Sequence, residues 1–142
     1  RSVQLMTYNS DTWSATAEYY ITLVIPKEAG APLARLTVQQ IRGVDWQFPY
    51  LVDRTRAFLG LPRQEGESVP VQASFENSTR RFTLDFPSPI APGSTLTVVL
   101  KPWHNPSQAD VYQFEVVAYP GGVSPEESQV GIVNLRIYDP IY

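Results

Sequence analysis

Hydrophobic and polar residues alternate along seven short stretches of the chain. Successive side chains of a β-strand point to opposite faces, so this spacing predicts strands that bury one face and expose the other. In residues 17–25, for example, Tyr19, Ile21 and Leu23 share the predicted inner face, and Tyr20 lies on the outer one. The seven predicted strands lie in residues 17–25, 33–41, 69–75, 81–86, 95–101, 112–118 and 133–137.

Segments rich in glycine and proline separate the predicted strands, as in KEAGAP at 27–32 and PSPIAPG at 87–93. The ENST sequence at 76–79 is typical of a hairpin turn. Pro70 removes a ladder donor and therefore favours a sheet edge. No long amphipathic helix is present to cover a sheet, so the apolar faces must pack on one another. We predict an all-β fold, an antiparallel β-sandwich of immunoglobulin-like size with about seven or eight strands.

One long connection, residues 43–60, does not alternate. Its sequence predicts a helical turn from about Val52 to Leu59, ended by Gly60. It also concentrates aromatic residues, namely Trp46, Phe48, Tyr50 and Phe58. These rings either cap one open end of the sandwich or form a binding platform.

The first residues, RSVQLMTYNS, have strand character of their own. We expect residues 1–14 to be an extended N-terminal segment and residues 15–142 to be a single domain. Val3, Leu5 and Tyr8 could pair this segment with its own sheet edge or with the sheet of a neighbouring molecule. The absence of an initiator methionine suggests that a signal segment was removed or that the boundary is artificial.

Composition excludes several classes of function. The net charge is −3 and no basic stripe is present, which argues against nucleic acid as a partner. Cysteine is absent, so no disulfide, thiolate nucleophile or cysteine-bound zinc is expected. The sequence contains no phosphate-binding glycine motif and no apolar run of membrane-spanning length. We therefore predict no cofactor and no membrane-spanning segment.

Four segments resemble a widespread cyanobacterial family of secreted or periplasmic domains of unknown function. They are YITLVIPKEAGAPLARLTVQQI, DRTRAFLG, FTLDFPSPIAPGSTLTVVLKPWHNPSQADVYQFEVVAYPGG and GIVNLRIY, within residues 15–138. The resemblance implies a mainly β domain, export through a signal peptide, and no established reaction or cofactor. It places the protein in the periplasm, the thylakoid lumen or on the extracellular surface. Residues 108–110 (Gln-Ala-Asp) depart from the glycines that are typical of the family.

The segment KPWHNP at 101–106 holds the only histidine, His104, next to Trp103. A histidine base needs an orienting partner and a nucleophile, and no GxSxG motif accompanies it. We expect a corner between two strands, with Trp103 packed on the sandwich edge and His104 solvated or bonded to a turn carbonyl. A calcium site formed by Glu126, Glu127 and either Asp45 or Asp139 would lack the usual loop spacing, so no metal site is predicted.

These observations predict an exported, non-catalytic binding or structural module that interacts with a protein through an edge strand or an aromatic loop end. The candidate interaction residues are Val3, Leu5, Tyr8, Trp46, Phe48, Tyr50, Trp103 and His104. One alternative is carbohydrate binding, with Trp13, Trp46 or Trp103 stacking on sugar rings. The other is a hydrolase built around His104 and a nearby carboxylate.

Overall fold

Two five-stranded antiparallel sheets face each other in the computed structural model, which describes residues 3–121 and 128–141. The predicted β-sandwich is therefore confirmed. The strands of the described residues are β1 (Val3–Met6), β2 (Tyr19–Val24), β3 (Leu33–Arg42), β4 (Arg56–Leu61), β5 (Gln64–Val69), β6 (Gln72–Glu76), β7 (Arg81–Ile90), β8 (Thr95–Leu100), β9 (Asp110–Pro120) and β10 (Ser128–Ile137). Sheet 1 has the order β1-β2-β8-β4-β5, and sheet 2 has the order β10-β9-β3-β7-β6.

The core lies between the sheets and is formed by the alternating residues that the sequence pattern identified. From sheet 1, Ile21 and Val98 point inward, and from sheet 2, Leu84 and Val116 do the same. Each large apolar side chain buried in this way contributes roughly 1.5–3 kcal/mol relative to its exposed state. The helical content is small, and no helix in the described part of the chain is long and apolar enough to cross a bilayer.

The predicted helical turn over residues 52–59 is wrong for most of its length. A 3-10 helix covers only Val52–Arg54, and β4 follows it directly. β4 escaped detection because its two faces are both apolar: Ala57 enters the main core, while Phe58 is buried on the outer side of sheet 1. Gly60 does not end a helix, because it has a φ of 112° at a bulge where an added Cβ would lie 2.5 Å from the Gln64 carbonyl oxygen.

Pro70 marks the point where the chain passes from one sheet to the other. The predicted strand at 69–75 is two strands, since β5 ends sheet 1 at Val69 and β6 begins at Gln72 on the edge of sheet 2. The edge position expected for Pro70 is thus confirmed, but β5 itself was missed because its residues are mostly polar and exposed. With β1, β4 and β5, the described residues form ten strands, more than the seven or eight predicted.

The β4–β5 hairpin bends over the outer face of sheet 1. Thr97 Oγ1 donates to the Gly60 carbonyl at 2.7 Å, and Arg63 at the turn donates to the Tyr8 hydroxyl at 3.3 Å, on the far side of the sheet. A small second core forms beneath the hairpin from Tyr20, Phe58 and Val99. Tyr20 is therefore buried, not exposed as its outward position suggested. Burial and the hydrogen bond to Glu18 raise the pKa of Tyr20 to about 12.

The N-terminal segment pairs with its own sheet. β1 runs antiparallel to β2, with Val3 opposite Leu23 and Met6 opposite Tyr20. Val3 is buried in the main core, and Leu5 packs against it. Beyond β1, Asp11 forms a parallel bridge with Tyr138. This segment joins the two sheets at the β1 and β10 edges.

Candidate functional site: an aromatic end of the sandwich

All three tryptophans of the chain lie at the same end of the sandwich. Trp13 is in the β1–β2 connection, Trp46 follows β3, and Trp103 follows β8. The connections of Trp13 and Trp103 meet because Tyr19, the first residue of β2, pairs with Leu100, the last of β8. The connection of Trp46 joins them through an antiparallel bridge between Tyr50 and Pro102. Their side chains are 60%, 44% and 61% exposed, respectively. We call this set of connections, residues 7–18, 43–55, 101–109 and 138–141, the aromatic end.

Asn105 anchors the aromatic end from inside. Its side chain is fully buried, and its Oδ1 accepts a hydrogen bond from the Tyr19 hydroxyl at 2.6 Å. Its Nδ2 donates to the carbonyls of Asn9 and Asp11, both at 2.9 Å. One amide group therefore satisfies a buried hydroxyl and two carbonyls of the connection that carries Trp13, which fixes the path of that connection.

Lys101 anchors the same connection further along. Its ammonium group donates to the carbonyls of Ala15, Ala17 and Pro102, at distances of 2.9–3.0 Å. Burial lowers the pKa of Lys101. The lysine and the asparagine of KPWHNP thus bind the carbonyls of the β1–β2 connection. The segment is a corner, as predicted, and it is also a scaffold for residues 9–17.

Trp13 is held in a backbone conformation that large residues rarely adopt. Its φ is 66°, in the left-handed region, where an aromatic side chain is a genuine outlier. The Trp13 N–H donates to the Pro106 carbonyl at 3.1 Å, and its ring packs on His104 with the centroids 4.8 Å apart. Such strain is maintained by the surrounding contacts and is concentrated at functional positions in proteins.

Asp45 joins the connection that carries Trp46 to the connection that carries Trp103. Its Oδ2 accepts hydrogen bonds from the Ser107 N–H at 3.0 Å and the Ser107 hydroxyl at 3.1 Å. Its Oδ1 accepts one from the Gln47 N–H at 2.9 Å. Burial alone would raise the pKa of Asp45, but these hydrogen bonds favour the charged form and hold the pKa below its ordinary value.

Beneath the exposed tryptophans, Arg80 occupies a cage of aromatic rings. Its guanidinium carbon lies 4.9 Å from the ring centroid of Phe48, 5.5 Å from that of Tyr50 and 5.0 Å from that of Phe75. The group donates to the Phe48 carbonyl at 2.6 Å and to Asn77 Oδ1 at 2.7 Å. Arg80 is only 4% exposed, and this burial lowers its pKa. The cage supports the aromatic end from the core side.

The structure divides the predicted interaction residues into two groups. Trp46, Trp103 and His104 reach the surface of the aromatic end, and Tyr8 is exposed at its border, beside Arg63. The others are less accessible: Phe48 is 2% exposed, Tyr50 packs on Phe75 and Phe82, Val3 is buried in the core, and Leu5 packs against that core. Phe48 and Tyr50 lie within the aromatic end, whereas Val3 pairs with Leu23 further along the sheet.

His104 contacts a neighbouring carbonyl and a neighbouring ring. Nδ1 donates to the Asn105 carbonyl at 2.7 Å, as expected for a turn, and the imidazole packs on Trp13. Trp103, which we expected to pack on the sandwich edge, projects into solvent instead. No group of three or more potential metal ligands occurs among the described residues. Glu126 and Glu127, considered for calcium, lie outside those residues. The aromatic end therefore exposes aromatic side chains and backbone groups to a ligand.

Sequence reasoning missed the residues that build the aromatic end, namely Asp45, Arg80, Lys101 and Asn105. All four are polar or charged residues in loops or turns, where solvation is the usual expectation. The K-P-x-x-N-P spacing was the available signal, because a lysine and an asparagine that each precede a proline can bind carbonyls of a neighbouring segment. Their partners could not be read from the sequence, since Asn105 lies 86 residues from Tyr19 and 96 from Asn9.

Solved structures of similar fold include domains of a bacterial adhesin and of a bacterial surface protein. The collagen-binding domain of a Staphylococcus aureus adhesin has a TM-score of 0.51 at 9% identity, over 98% of both chains. ACE19, the collagen-binding subdomain of the Enterococcus faecalis surface protein ACE, has a TM-score of 0.53 at 8% identity, over 94% of both. The C-terminal domain of the Streptococcus agalactiae AgI/II polypeptide BspA has a TM-score of 0.52 at 13% identity, over 94% of this chain and 49% of that one. At these identities the likeness shows the fold alone.

Sequence comparison shows the family. No curated protein sequence matches the chain. The model of the family described as "protein of unknown function (DUF2808)" matches residues 1–137, which include the N-terminal strand and all but the last residue of the segments on which the resemblance was based. The chain belongs to the DUF2808 family of proteins of unknown function.

Proposed function

We propose that this protein is a non-catalytic, exported binding module whose aromatic end contacts a protein partner. One observation carries the proposal: every tryptophan of the chain is exposed at the same end, although tryptophan is normally largely buried. Exposed tryptophans on rigid supports are the residues that most often dominate the energy of protein–protein binding. The two domains of similar fold that are described as collagen-binding agree with a protein partner.

The hydrogen bonds that hold the aromatic end favour a preformed binding surface over a mobile one. Asn105, Lys101 and Asp45 hold the three connections by hydrogen bonds to the backbone or to a neighbouring serine. A surface fixed before binding loses less conformational entropy when the complex forms. We infer that the periplasm, the thylakoid lumen or the extracellular surface is the place where this surface meets its partner.

Affinity capture from the native envelope fraction tests the proposal if the captured protein is then purified and titrated. Trp103→Ser should weaken its binding by about 30-fold or more, which corresponds to about 2 kcal/mol for a central tryptophan. Ile132→Ser is the matched control, because Ile132 is 50% exposed on the outer face of sheet 2. Equal binding of the wild-type protein and the Trp103 variant would refute the proposal.

Carbohydrate binding is a second candidate, and the open faces of two indoles favour it. In the described part of the chain, Trp13 packs on His104, whereas Trp46 and Trp103 form no such ring pair. A free indole face can stack on a sugar ring. A glycan that quenches the tryptophan fluorescence, with loss of quenching in Trp103→Ser and Trp46→Ser, would support this candidate over the first.

A further inference from the structure

The outer edge of β5 is an unpaired sheet edge. β5 is the last strand of sheet 1 and, among the residues that the structure describes, it pairs only with β4. The opposite side of the sandwich differs, because main-chain hydrogen bonds from Thr12 to Tyr138 at 2.9 Å and from Tyr138 to Ser10 at 2.8 Å join the two sheets there. The open edge is therefore on the side away from the N-terminal strand.

This open edge is acidic. Residues 64–72 contain two glutamates, Glu65 and Glu67, and no lysine or arginine. Glu65 is paired with Arg56 at 3.1 Å, but Glu67 forms no ion pair within the described residues. A second copy of β5 would bring its own glutamates against these, and like charges directly opposite each other destabilise a strand pair. The charge thus disfavours self-association and favours a segment that carries lysine or arginine.

A groove lined by apolar residues and by the polar residues Glu67, Ser68, Ser88 and Ser94 lies beside the second half of β5. Its volume is about 500 Å³, and Leu59, Val69 and Ile90 are among its lining residues. Pro70 and Pro89 also line it, together with Glu67. The groove is open and can accept one large apolar side chain from a strand that runs along the β5 edge. In strand addition, main-chain hydrogen bonds supply affinity and such pockets supply specificity.

We propose that the β5 edge binds a basic, extended segment of a protein partner by strand addition. The segment places an apolar side chain in the groove and a lysine or arginine opposite Glu67. The η1 helix, Val52–Arg54, lies against β6, so the site comprises residues 64–72 and does not continue along β6. It is separate from the aromatic end and requires none of the three tryptophans.

Titration with two short peptides that have blocked ends tests this proposal. One alternates lysine with valine around a central leucine, and the other has glutamate in place of lysine. Amide chemical shifts of the isotope-labelled full chain should respond to the lysine peptide at residues 64–72 and not to the glutamate peptide. Glu67→Lys should weaken binding of the lysine peptide by about tenfold at low ionic strength, and salt should weaken it further.

Two control variants separate the site from general electrostatic attraction. Glu28→Lys makes the same charge change in an exposed loop outside the groove and should leave the affinity unchanged. Ala91→Phe places a ring at the exposed wall of the groove and should reduce binding without loss of the fold. Absence of binding, equal binding of the two peptides, equal loss in Glu28→Lys, or shifts confined to the aromatic end would each overturn the proposal.

Discussion

Asn105→Ala should destabilise the protein by about 3 kcal/mol. The asparagine side chain makes three hydrogen bonds, one with the Tyr19 hydroxyl and two with carbonyls of the β1–β2 connection. Each contributes about 1 kcal/mol net, and leaving a buried group without its partner costs about 1–3 kcal/mol. Tyr19 is fully buried, so the loss of the acceptor for its hydroxyl dominates the cost.

Urea unfolding measures this loss as a change in midpoint at constant slope. Asn134→Ala is the matched control: Asn134 is exposed and bonds only Gln113 on the surface, so its loss should stay within about 0.5 kcal/mol. Tyr19→Phe in the Asn105→Ala background should cost less than in the wild type, because the unpaired hydroxyl is gone. A loss below about 1 kcal/mol for Asn105→Ala, or additive effects in the double variant, would refute the reasoning.

Three further predictions concern the other supports of the aromatic end. Trp13→Gly should be more stable than Trp13→Ala by about 1 kcal/mol in urea unfolding, because glycine adopts a φ of 66° without strain. Equal stability of the two variants would show that the backbone strain at this position is not significant. Arg80→Ala should lower the free energy of unfolding by about 3 kcal/mol, because it leaves the buried Phe48 carbonyl unpaired and empties the cage. Arg81→Ala, on the exposed outer face, is the control and should be nearly neutral. Similar losses of stability in the two variants would contradict the role assigned to Arg80. The pKa of Asp45 is lower in the folded state than in the unfolded state, so its contribution to stability is complete above about pH 4 and is lost as the pH falls through the folded pKa. Asp45→Asn should therefore lose less stability in acid than the wild type does. An unchanged pH profile of the urea midpoint would contradict this prediction.

The sequence pattern predicted the strands whose residues alternate between apolar and polar, and it failed for strands without that alternation. β2, β8 and β9 alternate and were identified, although the second face of β2 and β8 is buried as well. β4 is apolar on both faces because the β4–β5 hairpin covers it, and β5 is polar because it is a sheet edge. Whether the second face of a strand is covered depends on tertiary contacts that a single stretch of sequence does not contain.

The candidate site was predicted in part for the same reason. The aromatic loops could be seen in the sequence, and Trp46, Trp103 and His104 do reach one end of the sandwich. The buried position of Phe48, and the polar network of Asn105, Lys101 and Asp45, depend on partners far away along the chain. Neither the burial of Phe48 nor this polar network can be recognised from the residues nearby in sequence.

Site-specific photo-cross-linking in the native cell tests the central claim most directly. A photoreactive phenylalanine analogue would replace Trp103 in one variant and Ile132 in another, so that the two exposed positions differ mainly in their place on the molecule. The account predicts a protein adduct from position 103 and none from position 132. The same adducts from both positions, or adducts from position 132 alone, would contradict it.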